Sequence, residues 1–210
     1  LALVNIIMNS KQHWENIYNT KKIDGVSWFQ EVPTDSLKLI QRVSKNSHDK
    51  IIDIGCGKGF LADNLVQLGY SNISLLDISK NALDEVKARL GINNINYVDS
   101  SVLDFKSNEK FNIWHDRAVF HFLTDHHDKK LYKKIVSDSI MNNGYLIIAT
   151  FSEDGPLKCS GLEITRYSLD ELKEFYKDDF EFLEGYKTIH KTPFQTDQSF
   201  NFSVFKKITG

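Results

Sequence analysis

The chain has 210 residues, 41% of them hydrophobic and 26% charged, with a formal net charge of -2; it can build one sizeable core but is too short for two ordinary domains. The near-neutral balance offers no basic face to displace counterions, so no nucleic-acid partner is expected. Two cysteines, Cys56 and Cys159, are too few for a disulfide scaffold and fit a reducing, cytoplasmic setting.

Leu1 to Ile7 are apolar, but without a basic flank and too short to span a bilayer they make neither a signal peptide nor an anchor. Met8 looks like an alternative translation start, so little role is expected of the residues before it, and no membrane partner is expected. Helices are predicted near Lys11 to Asn19 and Thr34 to Lys45. Residues 1–46 thus read as an N-terminal helical cap or flap, and residues 47–210 as the body of one compact domain. Trp14, Tyr18, Trp28 and Phe29 fall in the cap, either as an aromatic lid over a ligand or as fasteners to the sheet.

Ile51 to Ile54 read as a short buried strand leading into Gly55-Cys56-Gly57-Lys58-Gly59. Glycines there let the backbone approach a ligand more closely than a Cβ permits, and the helix expected from Phe60 to Leu68 aims its first amides into the same crevice. The strict alternation is not the G-x-G-x-x-G of a dinucleotide site, and no Gly-Lys-Ser/Thr follows, which excludes a P-loop. A second strand, Ile73 to Leu76, ends in Asp77, about twenty residues beyond the turn, where an α/β nucleoside site sets a carboxylate against ribose hydroxyls. Ser79 caps a helix running to Leu90 and closed by Gly91.

Further strands are expected near Asn94 to Val98, Phe111 to Trp114 and Tyr145 to Phe151. Helices are expected near Thr124 to Ile140 and Leu169 to Lys177, the latter opened by a capping box of Ser168 and Glu171. Phe180 to His190 and Ser199 to Ile208 have no helix between them and should pair antiparallel. The fold class is therefore α/β: a doubly wound, mostly parallel, seven-stranded Rossmann-like sheet with an antiparallel C-terminal hairpin strand.

Through Asp53-Ile54-Gly55-Cys56-Gly57-Lys58-Gly59 and the acidic end of the second strand at Asp77, the chain resembles the class I S-adenosylmethionine-dependent methyltransferases over nearly its whole length. The resemblance implies S-adenosyl-L-methionine as cofactor and S-adenosyl-L-homocysteine as product. It implies that Asp53, Gly55, Cys56, Gly57 and Gly59 hold the methionine end and Asp77 the ribose, with Ile78, Ser101, Val102, His115, Trp14 and Trp28 completing the cofactor site. Where the family often has an Asp that meets the adenine amino group, this chain has Ser101, with Asp99 nearby.

Active-site residues of such a sheet project from the carboxyl ends of its strands, which directs attention to Trp114-His115-Asp116-Arg117. Asp116 and Arg117 follow an apolar strand and should pair or line the cleft; with His115 they are the candidate catalytic residues. Related protein-lysine methyltransferases carry Asp-Lys-Gly here and thiol methyltransferases Asp-Arg-Gly, whereas the Asn/Asp-Pro-Pro-Tyr/Phe signature of adenine methylation is missing. His121 reads as a packed histidine, His126 and His127 as the solvated start of a helix, and no metal is expected. The segment Ser152 to Tyr167 is a candidate acceptor lid, in which Arg166 with Arg117 binds an acceptor carboxylate or phosphate and Cys159 is a structural thiol.

The implied chemistry is direct transfer of the sulfonium methyl to an N, S or O acceptor, whose lone pair attacks the methyl in line as S-adenosylhomocysteine leaves. Trp28-Phe29-Gln30-Glu31 and Asp116-Arg117 lean toward a protein lysine. The alternatives are a thiol or carboxylate metabolite, or a non-catalytic binding module; a short oxidoreductase is disfavoured by the glycine spacing. No particular assembly is dictated, and a monomer is compatible with the sequence.

Overall fold

A computed structural model describes residues 2–91 and 94–208, with side chains from Ser10 onward. The expectation placed on Leu1 to Ile7 concerns side chains outside that range. The strands are β1 (Ile51–Ile54), β2 (Ile73–Asp77), β3 (Asn96–Asp99), β4 (Phe111–Arg117), β5 (Ile140–Phe151), β6 (Lys158–Cys159), β7 (Leu162–Glu163), β8 (Phe180–Lys191) and β9 (Asp197–Lys207). Seven of them form one sheet in the order β3-β2-β1-β4-β5-β9-β8. All neighbours from β3 to β5 are parallel, and β9 runs antiparallel to both β5 and β8. The predicted mostly parallel sheet with its reversed hairpin is the observed one. Its order reverses between β1 and β4, the place where an open α/β sheet leaves a crevice at its carboxyl edge.

All four residues of β1 are buried, as expected of a parallel strand covered on both faces. One face is packed by helices α2 (Thr34–Val43), α3 (Leu61–Gln67) and α4 (Lys80–Leu90), the other by α5 (His126–Ser139) and α6 (Leu169–Tyr176). In α2 the buried residues Ser36, Leu37, Leu39 and Ile40 share one helical face turned to the sheet. The caps read from sequence are present: the Ser79 side chain accepts from Ala82 N, Gly91 is left-handed at φ 60°, and Ser168 and Glu171 close a reciprocal box.

Several boundaries differ from the predictions. Strand β4 runs to Arg117 rather than Trp114, which takes Asp116 and Arg117 into the strand. Helix α1 (Ala2–Thr20) begins nine residues before Lys11. Strand β5 starts at Ile140 rather than Tyr145, because Asn142-Asn143-Gly144 forms an irregularity within the ladder instead of a loop: Phe111 pairs with Ile140, then Ile113 with Tyr145. Asn143 adopts φ 61° there, a conformation asparagine tolerates. Finally, the segment after β5 holds a two-stranded hairpin of β6 and β7, turning on Ser160 and Gly161 at φ 49° and 79°. Among the described residues no helix is long and apolar enough to cross a membrane.

Candidate functional site

The site begins at the glycine turn. Gly55 and Gly57 sit at φ 63° and 52°, and a Cβ on the first would strike Val119 while one on the second would strike the Tyr18 hydroxyl. Only glycine meets both demands, so the turn is a close-approach surface as well as a bend. Gly57 N donates to Asp77 Oδ2 at 2.7 Å and Ser79 N to Asp77 Oδ1 at 2.8 Å, which ties the end of β2 to the turn after β1. Burial pushes the Asp77 carboxyl up to about 6, against the pull of the Ser79 and Gly57 amides.

Asp53, the third residue of β1, accepts a bond through Oδ1 from His115 Nδ1 at 2.7 Å. His115 Nε2 lies 2.9 Å from Ser36 Oγ. The pairing of β1 with β4 sets Asp53 opposite His115, and the buried face of α2 supplies Ser36. The result is a buried polar chain joining the cap to two central strands, with the histidine between a carboxylate and a hydroxyl.

A cleft of about 610 Å³ opens above Asp77, Ile78, Ser101 and Val102, roofed by Trp14, Tyr18, Trp28 and Phe122. Trp14 packs edge-on against Trp28 and Phe122, with ring centroids 5.8 and 5.3 Å away. Such pairs contribute about 0.5–1.5 kcal/mol each beyond their buried area. Glu15 sets the pitch of α1: its carboxylate accepts from the Ser79 hydroxyl and from Lys80 N, both at 2.8 Å. A carboxylate there complements the amino end of α4. Through Gly55, Trp28, Tyr18 and Arg117 the cleft adjoins a smaller cavity of about 80 Å³ lined by Asp53, Cys56, Gly59 and His115.

Of the twelve expected cofactor residues, eleven line these two adjoining cavities. Gly57 is the other; its amide is held by Asp77. Ser101 Oγ accepts from Leu103 N at 3.3 Å, opening a short helical turn over Val102–Asp104; a hydroxyl oxygen retains a further lone pair for an incoming donor. Sequence reasoning missed Glu15, Ser36 and Phe122. Their residue types carry no signal, and only packing brings them to the site.

The three candidate catalytic residues are divided by strand alternation, since successive side chains of β4 point to opposite faces. His115 and Arg117 face the cavities. Asp116 faces α5, fully buried, accepting from Val119 N at 2.8 Å, from Phe120 N at 3.1 Å and from the Tyr132 hydroxyl. It lines neither cavity, so the expectation that it pairs holds and the expectation that it lines the cleft does not. Burial raises its carboxyl to about 6, despite the Tyr132 and Val119 bonds.

Arg117 stands where the cleft, the smaller cavity and an outer groove of about 490 Å³ beside β8 all meet. Its Nη1 donates to the Trp28 carbonyl at 3.2 Å, and its guanidinium lies 5.0 Å from the Phe200 ring centroid. Nε and Nη2 are shielded from solvent and, among the described residues, have no partner. Desolvation lowers the group to about 10, which leaves it charged at neutral pH. Arg166 lines none of these three cavities; it donates to the Gly155 carbonyl at 3.2 Å. Cys159 is buried, and burial pushes its thiol up to about 11, the behaviour of a structural cysteine. His121 is packed between Phe122 and Phe151, and burial, then Arg117, lowers it to about 3.

Ala118 follows at φ 71°, a left-handed conformation that costs a non-glycine residue about 1–2 kcal/mol. Strain of this kind on a cleft-lining turn is typical of a backbone held for function.

A family model described as a methyltransferase domain matches residues 45–203. EEF1A lysine methyltransferase 2 of Homo sapiens is 23% identical over 198 residues, covering 86% of this chain and 78% of that protein. A malonyl-(acyl-carrier protein) O-methyltransferase of Acetivibrio thermocellus is 23% identical over 172 residues, covering 80% of this chain and 57% of that protein. Among solved structures, the N-methyltransferase NodS of Bradyrhizobium japonicum in complex with S-adenosyl-L-homocysteine shares the fold. Its TM-score is 0.73 at 13% identity, covering 95% of this chain and 98% of that one.

Proposed function

The chain belongs to the methyltransferase-domain family and is an S-adenosylmethionine-dependent methyltransferase; from that premise we propose that the Asp53 to Asp77 side of the cleft holds the donor and the Arg117 end receives the acceptor. The observation that carries this reading is Gly55, whose missing side chain keeps the wall between the two cavities open beside Val119.

When bound, S-adenosylmethionine supplies a methyl group on a positively charged sulfur, which an acceptor lone pair displaces in line. The residues present fit such a molecule. Asp77 keeps lone pairs beyond the two its backbone amides occupy, enough for hydroxyl donors. Asp53, Gly55, Cys56 and Gly59 line the smaller cavity suited to the amino-acid end, and Ile78, Ser101 and Val102 line the wide one suited to a base. Residues 1–46 act as the flap, Trp14 and Trp28 excluding water over the reacting groups. His115 serves as a positioning residue, fixing Asp53 against Ser36. Asp116 acts through the backbone, holding the turn at Val119 and Phe120 that carries Ala118.

For the acceptor, likeness to EEF1A lysine methyltransferase 2 supports a protein lysine. A second reading, a small carboxylate or thiol, is supported by the unpartnered edge of Arg117. Two free thiols, one buried and one beside the glycine turn, favour a reducing cytoplasmic setting. Calorimetry with S-adenosylmethionine, S-adenosylhomocysteine and NAD tests the donor: tight NAD binding with no response to the other two overturns the reading. Methyl-label transfer into a lysate split into protein and small-molecule fractions identifies the acceptor class.

A further inference from the structure

The guanidinium of Arg117 is held on two sides and left unsatisfied on the third. Nη1 is tied to the Trp28 carbonyl, and the Phe200 ring lies against the cation. The unsatisfied side consists of Nε and Nη2, both buried and without partners among the described residues. Those two nitrogens share one edge of the guanidinium, and their parallel N–H bonds match the two oxygens of a carboxylate. A charged donor pair left unmade in a desolvated site is costly, so such an edge is stable only when something completes it.

The two carboxylates of the chain whose charge acts on this cation are engaged elsewhere. Asp53 is bonded to His115, and Asp35 accepts from the Tyr186 hydroxyl at 3.0 Å and more distantly from Thr188. Gln198, which lines the same cleft, has a buried Oε1 that also lacks a partner among the described residues. A residue with an unsatisfied acceptor and one with an unsatisfied double donor therefore line one cleft, and Arg117 also lines the outer groove beside β8.

We infer that the Nε–Nη2 edge of Arg117 is a carboxylate receptor, and that the carboxylate belongs to the methyl acceptor, with Gln198 Oε1 taking a hydroxyl or N–H of the same molecule. The inference rests on the methyltransferase reading and narrows it to acceptors bearing a carboxylate. A bare ammonium would meet a buried cation here, so a lysine is accommodated only when a carboxylate accompanies it. The one other source of the same chemistry is the methionine carboxylate of the donor.

Arg117 is one of four arginines, so its Nε–Hε signal is identified in full-length, arginine-labelled protein by its loss in Arg117→Lys. The protein saturated with S-adenosylhomocysteine is titrated with acetate and succinate against chloride, and S-adenosylhomocysteine affinity is measured by calorimetry in wild type, Arg117→Lys and Arg117→Gln. The expected result is a carboxylate-dependent shift of the Arg117 signal in the loaded protein. Carboxylate affinity then falls about 10- to 100-fold in Arg117→Gln, the range for a charge-assisted pair, while S-adenosylhomocysteine affinity stays within about threefold. Loss of S-adenosylhomocysteine affinity in both variants, with binding of its decarboxylated analogue unchanged, assigns the receptor to the donor and overturns the acceptor assignment. No response of the signal to acetate, succinate or S-adenosylhomocysteine overturns the receptor itself. A wild-type chain that binds no S-adenosylhomocysteine overturns the methyltransferase reading instead.

Discussion

The two ends of the cleft are assembled differently. At the Asp77 end, the turn after β1 and the loop after β2 are held together by bonds that stay between Gly57 and Ser79. At the Arg117 end, the guanidinium is fixed by Trp28 and Phe200, each more than eighty residues away in sequence. The first end is stiffened by backbone amides and becomes complete once β1 and β2 pair. The second depends on Trp28 of the N-terminal segment and Phe200 of β9 meeting in one core cluster beside β4, and so has more ways to vary between related chains.

Glycine substitutions test the first end most severely. Gly55→Ala combines the left-handed penalty with a collision against Val119, together about 3 kcal/mol, and is expected to weaken S-adenosylhomocysteine binding about 100-fold by calorimetry. Gly69, at φ 86° and with nothing within 4 Å of the place a Cβ would occupy, is the control: Gly69→Ala should cost about 1 kcal/mol of stability and leave affinity alone. Equal loss of affinity in both would mean that the turn is no cradle.

Asp116 separates structural from chemical roles at the second end. Asp116→Ala strands two buried amides and the Tyr132 hydroxyl, and should lower unfolding stability by about 3 kcal/mol in urea titration, with S-adenosylhomocysteine affinity within about threefold of wild type. An Asp116→Asn variant that is as stable as wild type yet transfers no methyl would restore the carboxylate to catalysis.

Acidity should act in opposite directions on binding and folding. The folded-state values of Asp77 and Asp116, raised to about 6 from 3.8, mean that the folded chain binds more protons than the unfolded one between those values. Their contribution to stability is therefore full below about pH 4 and is lost as the pH rises through 6. On the proposed reading the donor is held by ionised Asp77, so S-adenosylhomocysteine affinity should fall about tenfold between pH 7 and pH 5, where about nine-tenths of a group titrating at 6 is protonated. Asp77→Asn should bind more weakly at pH 7 and flatten that dependence; a wild-type affinity indifferent to pH in this range removes Asp77 from donor binding. The smallest effect expected is a gain: Ala118→Gly relieves left-handed strain and should stabilise the protein by about 0.5–1 kcal/mol net of the added unfolded-state freedom, read as a rise in thermal midpoint.

Much of the Asp77 end was legible because its requirements are local. Alternating glycines, an acid at the end of the next strand and a serine cap each express a conformation that few residue types satisfy. The Arg117 end was legible only as a location. Asp116 and Arg117 stood out as charges after an apolar strand, but which of them faced the cleft depended on the pairing and alternation of β4. Nothing along the chain showed that the segment after β5 holds the β6–β7 hairpin, or that Arg166 donates to the Gly155 carbonyl while Arg117 lines the cavities. The early start of β5 was hidden by Asn143-Gly144, whose turn chemistry serves equally well for an irregularity inside a strand.

The amino-acid sequence by itself determined the sheet class, the reversed hairpin, the helix caps and the glycine turn with Asp77, since periodicity, capping and positive φ are set by neighbours along the chain. Tertiary structure alone decided that Ser36 and His115 secure Asp53, that Glu15 pins α1 over the cleft, that Asp116 is turned away and that Arg117 is left with an unsatisfied edge. Those outcomes depend on which faces meet and on which polar atoms are satisfied when water is excluded, and neither is written in the order of residues along one segment.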